Sequence, residues 1–583
     1  MQMRTIGAKN EHEARNTARA RRWVLGVVLG TVALTPLVAQ GPPGFPSPTD
    51  WPMFGQNTAN TASTSDTAIS TSTASQLKTK WTFTTGGDVS ARAAVVSGVA
   101  YFPDWGGNIW AVNTSSGKKI WSHKLSDYGL TAGTVSRTSP AVANGIVYVG
   151  TQYVAPASFT APQPPTGWLL AIEAASGNLL WKMQPDTSNP FPVITGSPVV
   201  AFGIVYVPMT SNEEFAAAGP AEGGPPYACC SARGSVVAVD AFFPFVLWQT
   251  FTVPEGYSGG AVWGSNPVVD LERFSVFVGT GNNYSVPPNY ASCIAHGGTN
   301  VTCQSPEDHA DSILSLNMFT GQIQWATKLE NWNQQHTEGV TNGSDFWNVD
   351  CIFVAPGTSN CPNELISSTP TAGPDYDFGS APNEITDGDG WNTKTIIGAG
   401  QKSGIYYALD PDTGAMLWST QVGPGSSLGG IEWGSASDGQ RIYVAISNLD
   451  GIPYAAGSAG SWAALNPVTG AILWQKADPN GGIDIGPMAV ANGVVYADSM
   501  GAPPATGCTV NCSPGRTSHN MFALNASTGA TLWSFAPGAS VNAGAVIVDG
   551  VVYWGSGYVH LAPSLGSGSV TTGSFYAFSV DGH

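Results

Sequence analysis

The cysteines are the first residues whose type and spacing indicate chemistry. The chain contains eight, and they form four close pairs: Cys229 with Cys230, Cys293 with Cys303, Cys351 with Cys361, and Cys508 with Cys512. Short disulfides within these pairs are the simplest arrangement, and they are typical of a protein in an oxidising compartment. The motif C-x-x-C-H is absent, so we expect no covalently attached c-type haem. No histidine lies at ligand spacing from the pairs, which disfavours a zinc site.

The composition of the chain excludes several classes of protein. Only 10% of the residues are charged, against an average of about 25%, whereas 71 are glycine and 42 are proline. This composition favours an all-β fold with many turns. The formal net charge is −17 and no basic stripe occurs, so we expect neither nucleic acid nor an anionic membrane surface as a partner.

The N-terminus has the pattern of an export signal. A positive region precedes an apolar run and a small residue suited to cleavage: Arg15, Arg19, Arg21, Arg22, residues 24–37 and Ala39. We therefore expect a signal peptide at 1–39 and a periplasmic or secreted protein. Twin-arginine export and an uncleaved anchor are the alternatives. No later segment is apolar and long enough to predict a membrane span.

An internal repeat predicts the elements that must position any site. An Asn, Asp or Glu recurs seven times with a Trp eight residues later: Asn113 and Trp121, Glu173 and Trp181, Asp240 and Trp248, Asn317 and Trp325, Asp410 and Trp418, Asn466 and Trp474, Asn525 and Trp533. Six of these pairs have a Gly midway, as a hairpin with positive φ requires. Apolar strands precede each pair, so each repeat predicts a small antiparallel sheet of about four strands.

The two ends of the chain predict that the repeats close into a ring. An eighth repeat begins at GVVYWGSG (550–557) and ends with FYAFSVDG, where the chain stops before the Trp that follows the hairpin in the other repeats. The segment KTKWTFTT at 78–85 carries Trp81 without a preceding hairpin. The N-terminal strand would complete the last sheet and leave few open edges. We therefore expect an all-β, eight-bladed β-propeller of Trp-bearing four-stranded blades at 78–583, after an N-terminal extension at 40–77. A linear solenoid or separate sandwiches would not explain these complementary ends.

Several segments give the chain a family resemblance. They include DWPMFGQNTANT, CCSARGSVVAVDA, VFVGTGNNYS, PDYDFGSAPN, AGQKSGIYYALDPDTG and GGIEWGSASDGQRIYVA. Together with the repeats, they resemble the pyrroloquinoline quinone (PQQ) dependent dehydrogenases, and within them the polyvinyl alcohol dehydrogenase group. The resemblance covers residues 50–580. It implies PQQ and Ca²⁺ as cofactors, with a base that takes the alcohol proton.

The resemblance implies a calcium site built from oxygen ligands. Glu213 in VPMTSNEE occupies the place of a metal-binding carboxylate, with Glu214 as the adjacent alternative. Asn282 in VGTGNN matches the family's amide ligand, and Asn283 is the alternative if the register differs by one. An isolated Glu in a loop is otherwise a solvated residue. The matches in the expected chain order therefore carry this assignment.

The resemblance also implies the catalytic base. Asp377 in PDYDFGS precedes an aromatic and a small residue, as the family's catalytic aspartate does, and that aspartate also approaches the metal. Asp375 is the competing candidate. Gly379 lies two residues after Asp377, where lanthanide-dependent relatives carry an extra carboxylate, so calcium is favoured. The alternative role for Asp377 is to cap a turn.

Cofactor contacts follow from the same resemblance. Arg137 matches the arginine that pairs with a PQQ carboxylate, and Thr195 matches a hydroxyl donor to another carboxylate. Lys402 in GQKSG matches a cation close to the quinone oxygens, and Trp263 in GGAVWGSN matches the indole that stacks beneath the cofactor. A surface position for Lys402 and ordinary packing between blades for Trp263 remain the alternatives.

The sequence departs from the family pattern at two places. In the alcohol dehydrogenases a vicinal disulfide lies over the quinone face. The adjacent Cys229 and Cys230 lie one repeat later in this sequence, directly before Arg233, as in the polyvinyl alcohol group, and we expect them to cover the cofactor from there. Glu432 in GGIEWG stands where relatives carry an amide that contacts the cofactor. A carboxylate there would repel an anionic quinone unless it is protonated or paired.

Together these features predict an exported dehydrogenase that oxidises a secondary alcohol, which the resemblance extends to a polymer such as polyvinyl alcohol. Because no haem motif is present, electrons would pass to a separate acceptor, for which a c-type cytochrome is the natural candidate. Two alternatives remain open. One is a propeller without cofactor that serves binding or assembly, and the other is a PQQ enzyme that acts on sugars or aldehydes.

Overall fold

The Trp-bearing repeats form four-stranded antiparallel sheets in the computed structural model of this protein. The structure describes residues 47, 49–153, 166–213, 230–264, 266–298, 300–329, 374–387, 393–426, 428–501, 520–558 and 573–583. All of them belong to the unit Gly44–His583. The expected signal peptide at 1–39 lies outside the described residues.

Eight sheets follow one another along the chain, and we number them as blades 1 to 8. Blades 1 and 2 contain Ala94–Val96, Val99–Pro103, Asn108–Asn113 and Lys119–Lys124, then Ala141–Ala143, Ile146–Gly150, Leu169–Glu173 and Leu179–Met183. Blades 3 and 4 contain Val199–Ala201, Ile204–Ser211, Ser235–Asp240 and Val246–Phe251, then Val268–Asp270, Ser275–Gly279, Ser312–Asn317 and Ile323–Lys328. Blades 5 and 6 contain Asn383–Asp387, Lys394–Gly400, Ile405–Leu409 and Met416–Gln421, then Ala436–Ser437, Ile442–Ile446, Ser461–Leu465 and Ile472–Ala477. Blades 7 and 8 contain Ala489–Ala491, Val494–Asp498, Met521–Asn525 and Thr531–Phe535, then Val546–Val548, Val551–Ser556, Ser574–Val580 and Leu77–Thr84.

Short elements lie between the blades. The added strands are Ser63–Thr64, Thr134–Val135, Gln152–Tyr153, Pro192–Val193, Ser258–Gly259, Asn283–Ser285, Ser380–Ala381 and Trp433–Gly434. The helical segments within the described residues are Ala74–Gln76 and Leu125–Tyr128, both 3₁₀, and the α-helices Pro288–Ala295 and Asn300–Cys303. None of the helices in the described ranges has the length and apolar character needed to cross a membrane.

Blade 8 confirms the predicted closure of the ring. Its third strand, Ser574–Val580, pairs antiparallel with Leu77–Thr84 from the other end of the chain. The indole N–H of Trp533 in blade 7 donates to the carbonyl of Leu77 at 2.9 Å, which joins blade 7 to this N-terminal strand. The eight-bladed propeller is therefore closed by strands from both chain ends, as the incomplete repeats predict.

The repeated Gly and Trp are explained by packing between neighbouring blades. Gly529 of blade 7 has φ of 69°, and a Cβ on it would lie 2.6 Å from the indole of Trp474 in blade 6. Equivalent glycines lie against the Trp of the preceding blade around the ring. Blade 3 lacks this Gly, and the buried N–H of Trp181 that faces it has no hydrogen-bond partner among the described residues. The Gly is thus required both by the turn and by the indole that packs on it.

A segment of the N-terminal extension, residues 51–62, runs along the first strands of six blades. Main-chain hydrogen bonds join it to them at Trp51 and Val95, Pro52 and Val142, Thr58 and Val269, Ala59 and Glu384, Thr61 and Ser437, and Ala62 and Val490. The first strands are buried and the fourth strands are largely exposed, so the first strands lie nearest the axis. We call residues 51–62 the inner belt, because they link these first strands near the axis.

The antiparallel order of each blade divides the connections between two ends of the ring. The turns between strands one and two and between strands three and four lie at one end. The connections between strands two and three, and from each blade to the next, lie at the other end, which we call the site end. Every predicted site residue within the described ranges lies in a connection at the site end, so the fold can bring these residues together.

Candidate functional site

A buried lysine and two buried aspartates occupy the connections of blade 5. Lys402 lies between the second and third strands, and Asp375 and Asp377 precede the first strand. The Lys402 Nζ atom is 2.8 Å from Asp377 Oδ1 and 3.0 Å from Asp375 Oδ2. All three residues are at most 5% exposed, so the alternative of a surface lysine is wrong.

The carboxylates keep Lys402 charged despite its burial. Burial alone lowers the pKa of this ammonium group, but Asp375, Asp377 and Glu432 together raise the pKa well above its usual value. Removal of the ammonium group would leave buried carboxylates without a counter-ion, and removal of the carboxylates would leave a buried ammonium group without one. The cluster is therefore fixed as an ion triplet of Lys402, Asp375 and Asp377.

Trp263 contacts this ion triplet directly. Its indole N–H donates to Asp377 Oδ2 at 2.6 Å, and the Lys402 ammonium lies 4.9 Å from the centroid of its ring. Trp263 also meets Trp433 edge to face, with ring centroids 5.4 Å apart. Both oxygens of Asp377 are thus held in fixed directions, one by Lys402 and one by Trp263. Trp263 therefore does more than pack between blades.

Glu213 is fully buried beside the connection that follows Cys230. Its carboxylate accepts hydrogen bonds from the main-chain N–H groups of Ser231 at 2.8 Å and Ala232 at 2.6 Å, and from the Ser231 hydroxyl at 3.1 Å. These three hydrogen bonds fix the position of the carboxylate. Glu214, the alternative ligand, lies outside the described residues.

Asn282 lies between Glu213 and Asp377 in the contact network. Its main-chain carbonyl accepts a hydrogen bond from the N–H of Gly260. The preceding residue, Gly259, donates its N–H to the carbonyl of Ala232. On the other side, a Cβ on Gly281 would lie 2.9 Å from Asp377 Oδ2. Contacts of the main chain thus link the segments that carry Glu213, Asn282 and Asp377.

The neighbouring Asn283 points to a different partner. Its amide donates to Asp308 at 3.0 Å and its backbone belongs to the short strand Asn283–Ser285. The side-chain amide of Asn283 is thus already engaged by Asp308. No group of three His, Cys, Asp or Glu side chains in the described ranges is arranged for metal binding, and the predicted set accordingly depends on an amide oxygen.

Arg137 lies at the opposite side of the site, in the connection from blade 1 to blade 2. Its guanidinium donates to the hydroxyl of Tyr558 at 3.0 Å and stacks over the ring of Trp433, with Cζ 4.1 Å from the centroid. Thr195 lies in the next connection and donates its hydroxyl to the carbonyl of Trp263 at 2.7 Å. Arg137, Thr195 and Trp433 line one cavity near the axis.

Glu432 is buried among these charges. Burial raises its pKa to about 7, Lys402 and Arg137 act in the opposite direction, and Asp377 adds to the rise. Its Oε1 atom has no hydrogen-bond partner within the described part of the chain. A carboxyl group beside an anionic quinone must be protonated or paired to avoid repulsion. The raised pKa of Glu432 makes its protonated form accessible near neutral pH.

The disulfides agree in part with the predicted local pairs. Cys293 and Cys303 are joined, with Cα atoms 5.6 Å apart. Cys230 is disulfide-bonded, and its expected partner Cys229 lies outside the described residues. The pairs Cys351 with Cys361 and Cys508 with Cys512 also lie outside them.

Comparison with known sequences identifies the family. The profile of the PQQ_2 family, described as outer membrane protein assembly factor BamB, matches residues 49–292 and 401–572, which is more than half of the chain. The chain belongs to the PQQ_2 family. Within it, a polyvinylalcohol dehydrogenase of Pseudomonas sp. is 29% identical over 92% of this chain and 78% of its own length. A polyvinylalcohol dehydrogenase of Sphingopyxis sp. (strain 113P3) is 29% identical over 87% and 73%.

Solved structures show the same fold for this PQQ_2 chain. A quinohemoprotein alcohol dehydrogenase from Comamonas testosteroni superposes with a TM-score of 0.63 over 92% of this chain and 81% of its own, at 18% identity. A europium-containing methanol dehydrogenase gives a TM-score of 0.60 over 91% and 98%, at 16% identity. At these identities the likeness establishes the propeller architecture.

The structure adds residues that sequence reasoning missed. Trp433 and Tyr558 both contact Arg137, although neither carries a signal of its own. Trp433 directly follows Glu432, so the segment GGIEWG contained the clue. Tyr558 is 421 residues from Arg137 in the chain, and no local pattern joins them. Asp375, the competing candidate for the base, shares Lys402 with Asp377.

Proposed function

We propose that this chain is an exported PQQ- and Ca²⁺-dependent dehydrogenase that oxidises a secondary alcohol, including a polymeric one such as polyvinyl alcohol. Electrons would pass to an external acceptor, with a c-type cytochrome as the candidate. The two polyvinylalcohol dehydrogenase relatives support the substrate class. The observation that carries the proposal is the buried ion triplet whose Asp377 is also held by Trp263.

The residues present fit both cofactors chemically. Glu213, Asn282 and Asp377 supply the oxygen donors that a hard divalent cation prefers. Arg137 supplies a guanidinium for a carboxylate of the quinone, and Lys402 supplies a cation for its carbonyl oxygens. The unpartnered Oε1 of buried Glu432 adds a polar atom that a bound group could satisfy. When bound, PQQ with Ca²⁺ supplies a two-electron acceptor for the oxidation of the alcohol.

Asp377 is the residue that would take the hydroxyl proton. Each carboxylate oxygen has more than one acceptor position, so a substrate hydroxyl can be received beside the bonds to Lys402 and Trp263. Those two contacts hold the carboxylate in a fixed orientation, as a positioned general base requires. After Asp377 is protonated, Asp375 still compensates the charge of Lys402. Asp377 is the preferred candidate because Lys402 and Trp263 orient its two oxygens at the site.

The remaining assignments complete the proposed site. Thr195 would supply a hydroxyl to a second carboxylate of the quinone, and Trp263 would form the surface on which the planar ring rests. The vicinal Cys229 and Cys230 would cover the opposite face. Glu432 would contact the cofactor in its protonated form, which avoids charge repulsion.

Reconstitution of the purified protein with PQQ and Ca²⁺ tests the proposal. Oxidation of 2-butanol, 2,4-pentanediol and polyvinyl alcohol would be followed with an electron-accepting dye. We expect activity that requires both additions and that is lost in Asp377→Asn. Asp450→Asn, at an exposed aspartate, is the matched control. A protein that binds no quinone and oxidises no alcohol would instead support a binding or assembly role, and a preference for sugars or aldehydes would support the other alternative.

Export is tested separately. The N-terminal residue of the protein recovered outside the cytoplasm should lie near Gln40 if 1–39 is a cleaved signal peptide. Recovery of the intact N-terminus with the membrane fraction would support an uncleaved anchor. Either outcome leaves the activity assay unaffected.

A further inference from the structure

Arg137 is held by aromatic residues from two distant blades. Trp433 comes from the connection into blade 6, and Tyr558 follows the second strand of blade 8. The guanidinium stacks on Trp433 at 4.1 Å and bonds to the Tyr558 hydroxyl at 3.0 Å, with the Tyr558 ring centroid 5.8 Å away. A planar guanidinium held over one ring and bonded by one nitrogen keeps its other donors in a fixed direction.

The two aromatic residues are themselves firmly placed. Tyr558 is 3% exposed and meets Trp105 edge to face, with centroids 6.4 Å apart. Burial raises the pKa of Tyr558, with Arg137 acting in the opposite direction, so the phenol stays neutral and can accept the hydrogen bond. Trp433 has φ of 58°, a conformation that bulky residues rarely adopt, and its main-chain N–H donates to the carbonyl of Gly379 at 3.0 Å. Such backbone strain is maintained where the surrounding structure requires it.

We infer that Trp433 and Tyr558 are positioning residues that orient Arg137 for one carboxylate of the cofactor. This inference rests on the proposed function, and it adds two residues to the recognition of the cofactor. It also has a structural consequence. Tyr558 follows a strand of blade 8, and this blade is completed by strands from both ends of the chain. The contact between Tyr558 and Arg137 therefore depends on closure of the ring.

The test is the affinity of the cofactor-free protein for PQQ. It is measured by titration of the intrinsic fluorescence of the protein in the presence of Ca²⁺. Tyr558→Phe removes the hydroxyl and keeps the ring. We expect it to weaken binding about ten-fold, the effect of one hydrogen bond to a charged group. Tyr496→Phe is the matched control, because the Tyr496 hydroxyl is buried and has no partner among the described residues. We expect its affinity to equal that of the wild type.

Trp433 is tested by a pair of variants. Trp433→Leu removes the ring beneath Arg137 and is expected to weaken PQQ binding at least as much as Tyr558→Phe. Trp433→Phe retains an aromatic face and should restore part of the affinity. At saturating PQQ, kcat of the control variant Tyr496→Phe should match the wild type, because Tyr496 lies within the second strand of blade 7 and not in a connection at the site end.

The trimethyl ester of PQQ separates an effect on the carboxylate from a general loss of fit. The ester carries no charge for Arg137, so it should bind equally to the wild type and to Tyr558→Phe. Equal binding of free PQQ by both proteins would overturn the inference, as would a fall in kcat with unchanged affinity. A wild type that binds no PQQ would instead refute the proposed function, so the two failures are distinguishable.

Discussion

Glu432→Gln offers a test of the electrostatics of the site that does not depend on turnover. Burial raises the pKa of Glu432 from 4.5 to about 7, with Lys402 and Arg137 opposing the rise and Asp377 adding to it. Between pH 4.5 and about pH 7, Glu432 therefore keeps its proton in the folded protein, whereas it has lost the proton in the unfolded chain. Stability must then fall as the pH rises through this window, because the native state binds more protons than the unfolded state.

The size of the effect follows from the shift. A rise from 4.5 to about 7 corresponds to about 3 kcal/mol of unfolding free energy lost above pH 7. Glutamine has the same shape and cannot ionise, so Glu432→Gln should avoid this loss. We expect the variant to be more stable than the wild type by about 1 kcal/mol at pH 5 and by about 3 kcal/mol at pH 8.

Urea unfolding of the apoprotein at several pH values between 5 and 8 measures the difference. Glu255→Gln is the matched control, because that carboxylate is exposed and its removal should leave the pH profile unchanged. A stability difference that stays constant from pH 5 to pH 8 would refute the reasoning. So would a variant that is less stable than the wild type at pH 8, which would mean that Glu432 is ionised and usefully paired.

Three more predictions follow from the same structure. Asp377→Asn should lower kcat of the reconstituted enzyme by about 10²–10⁴-fold without loss of PQQ binding, and unchanged kcat would exclude Asp377 as the base. Lys402→Met leaves two buried carboxylates uncompensated and should cost about 3–5 kcal/mol at pH 8, measured by urea unfolding, with partial recovery at pH 5. Gly529→Ala places a Cβ 2.6 Å from Trp474, whereas Gly538→Ala meets nothing within 4 Å at a similar φ. Thermal unfolding should show roughly 1–2 kcal/mol lost from strain at Gly538, and about 1–3 kcal/mol more at Gly529.

The architecture was predictable because its determinants are local and repeated. A turn with positive φ requires Gly, and an indole packed on that Gly repeats once per blade, so the same short pattern recurs along the chain. Closure was predictable from the missing fourth strand of the last repeat. The inner belt was not, because its hydrogen bonds are made by main-chain groups that leave no side-chain pattern.

The site was predictable only where residues match the family in short segments. Lys402 and Asp377 were identified in this way, and the structure places them 2.8 Å apart. The second partner of Lys402 was not predicted as such, because Asp375 was weighed as a rival base rather than as a counter-ion. Glu432 is buried and lies among the charges of Lys402, Asp377 and Arg137, which come from different connections. Its environment could therefore not be derived from its own segment.

The location of the site on the axis explains why so few charges suffice. Connections from all blades converge at the site end, and burial there removes the water that would otherwise screen each charge. A buried cation at that place must be matched by a carboxylate, and Lys402 is matched twice within blade 5 itself. Arg137 is instead held by a neutral phenol and an indole from blades 8 and 6. In the proposed enzyme, the charge of Arg137 therefore remains available for an incoming carboxylate, whereas that of Lys402 is already compensated. Arg137 would then act in the affinity for the cofactor, whereas Lys402 would both lie beside the quinone oxygens and orient Asp377.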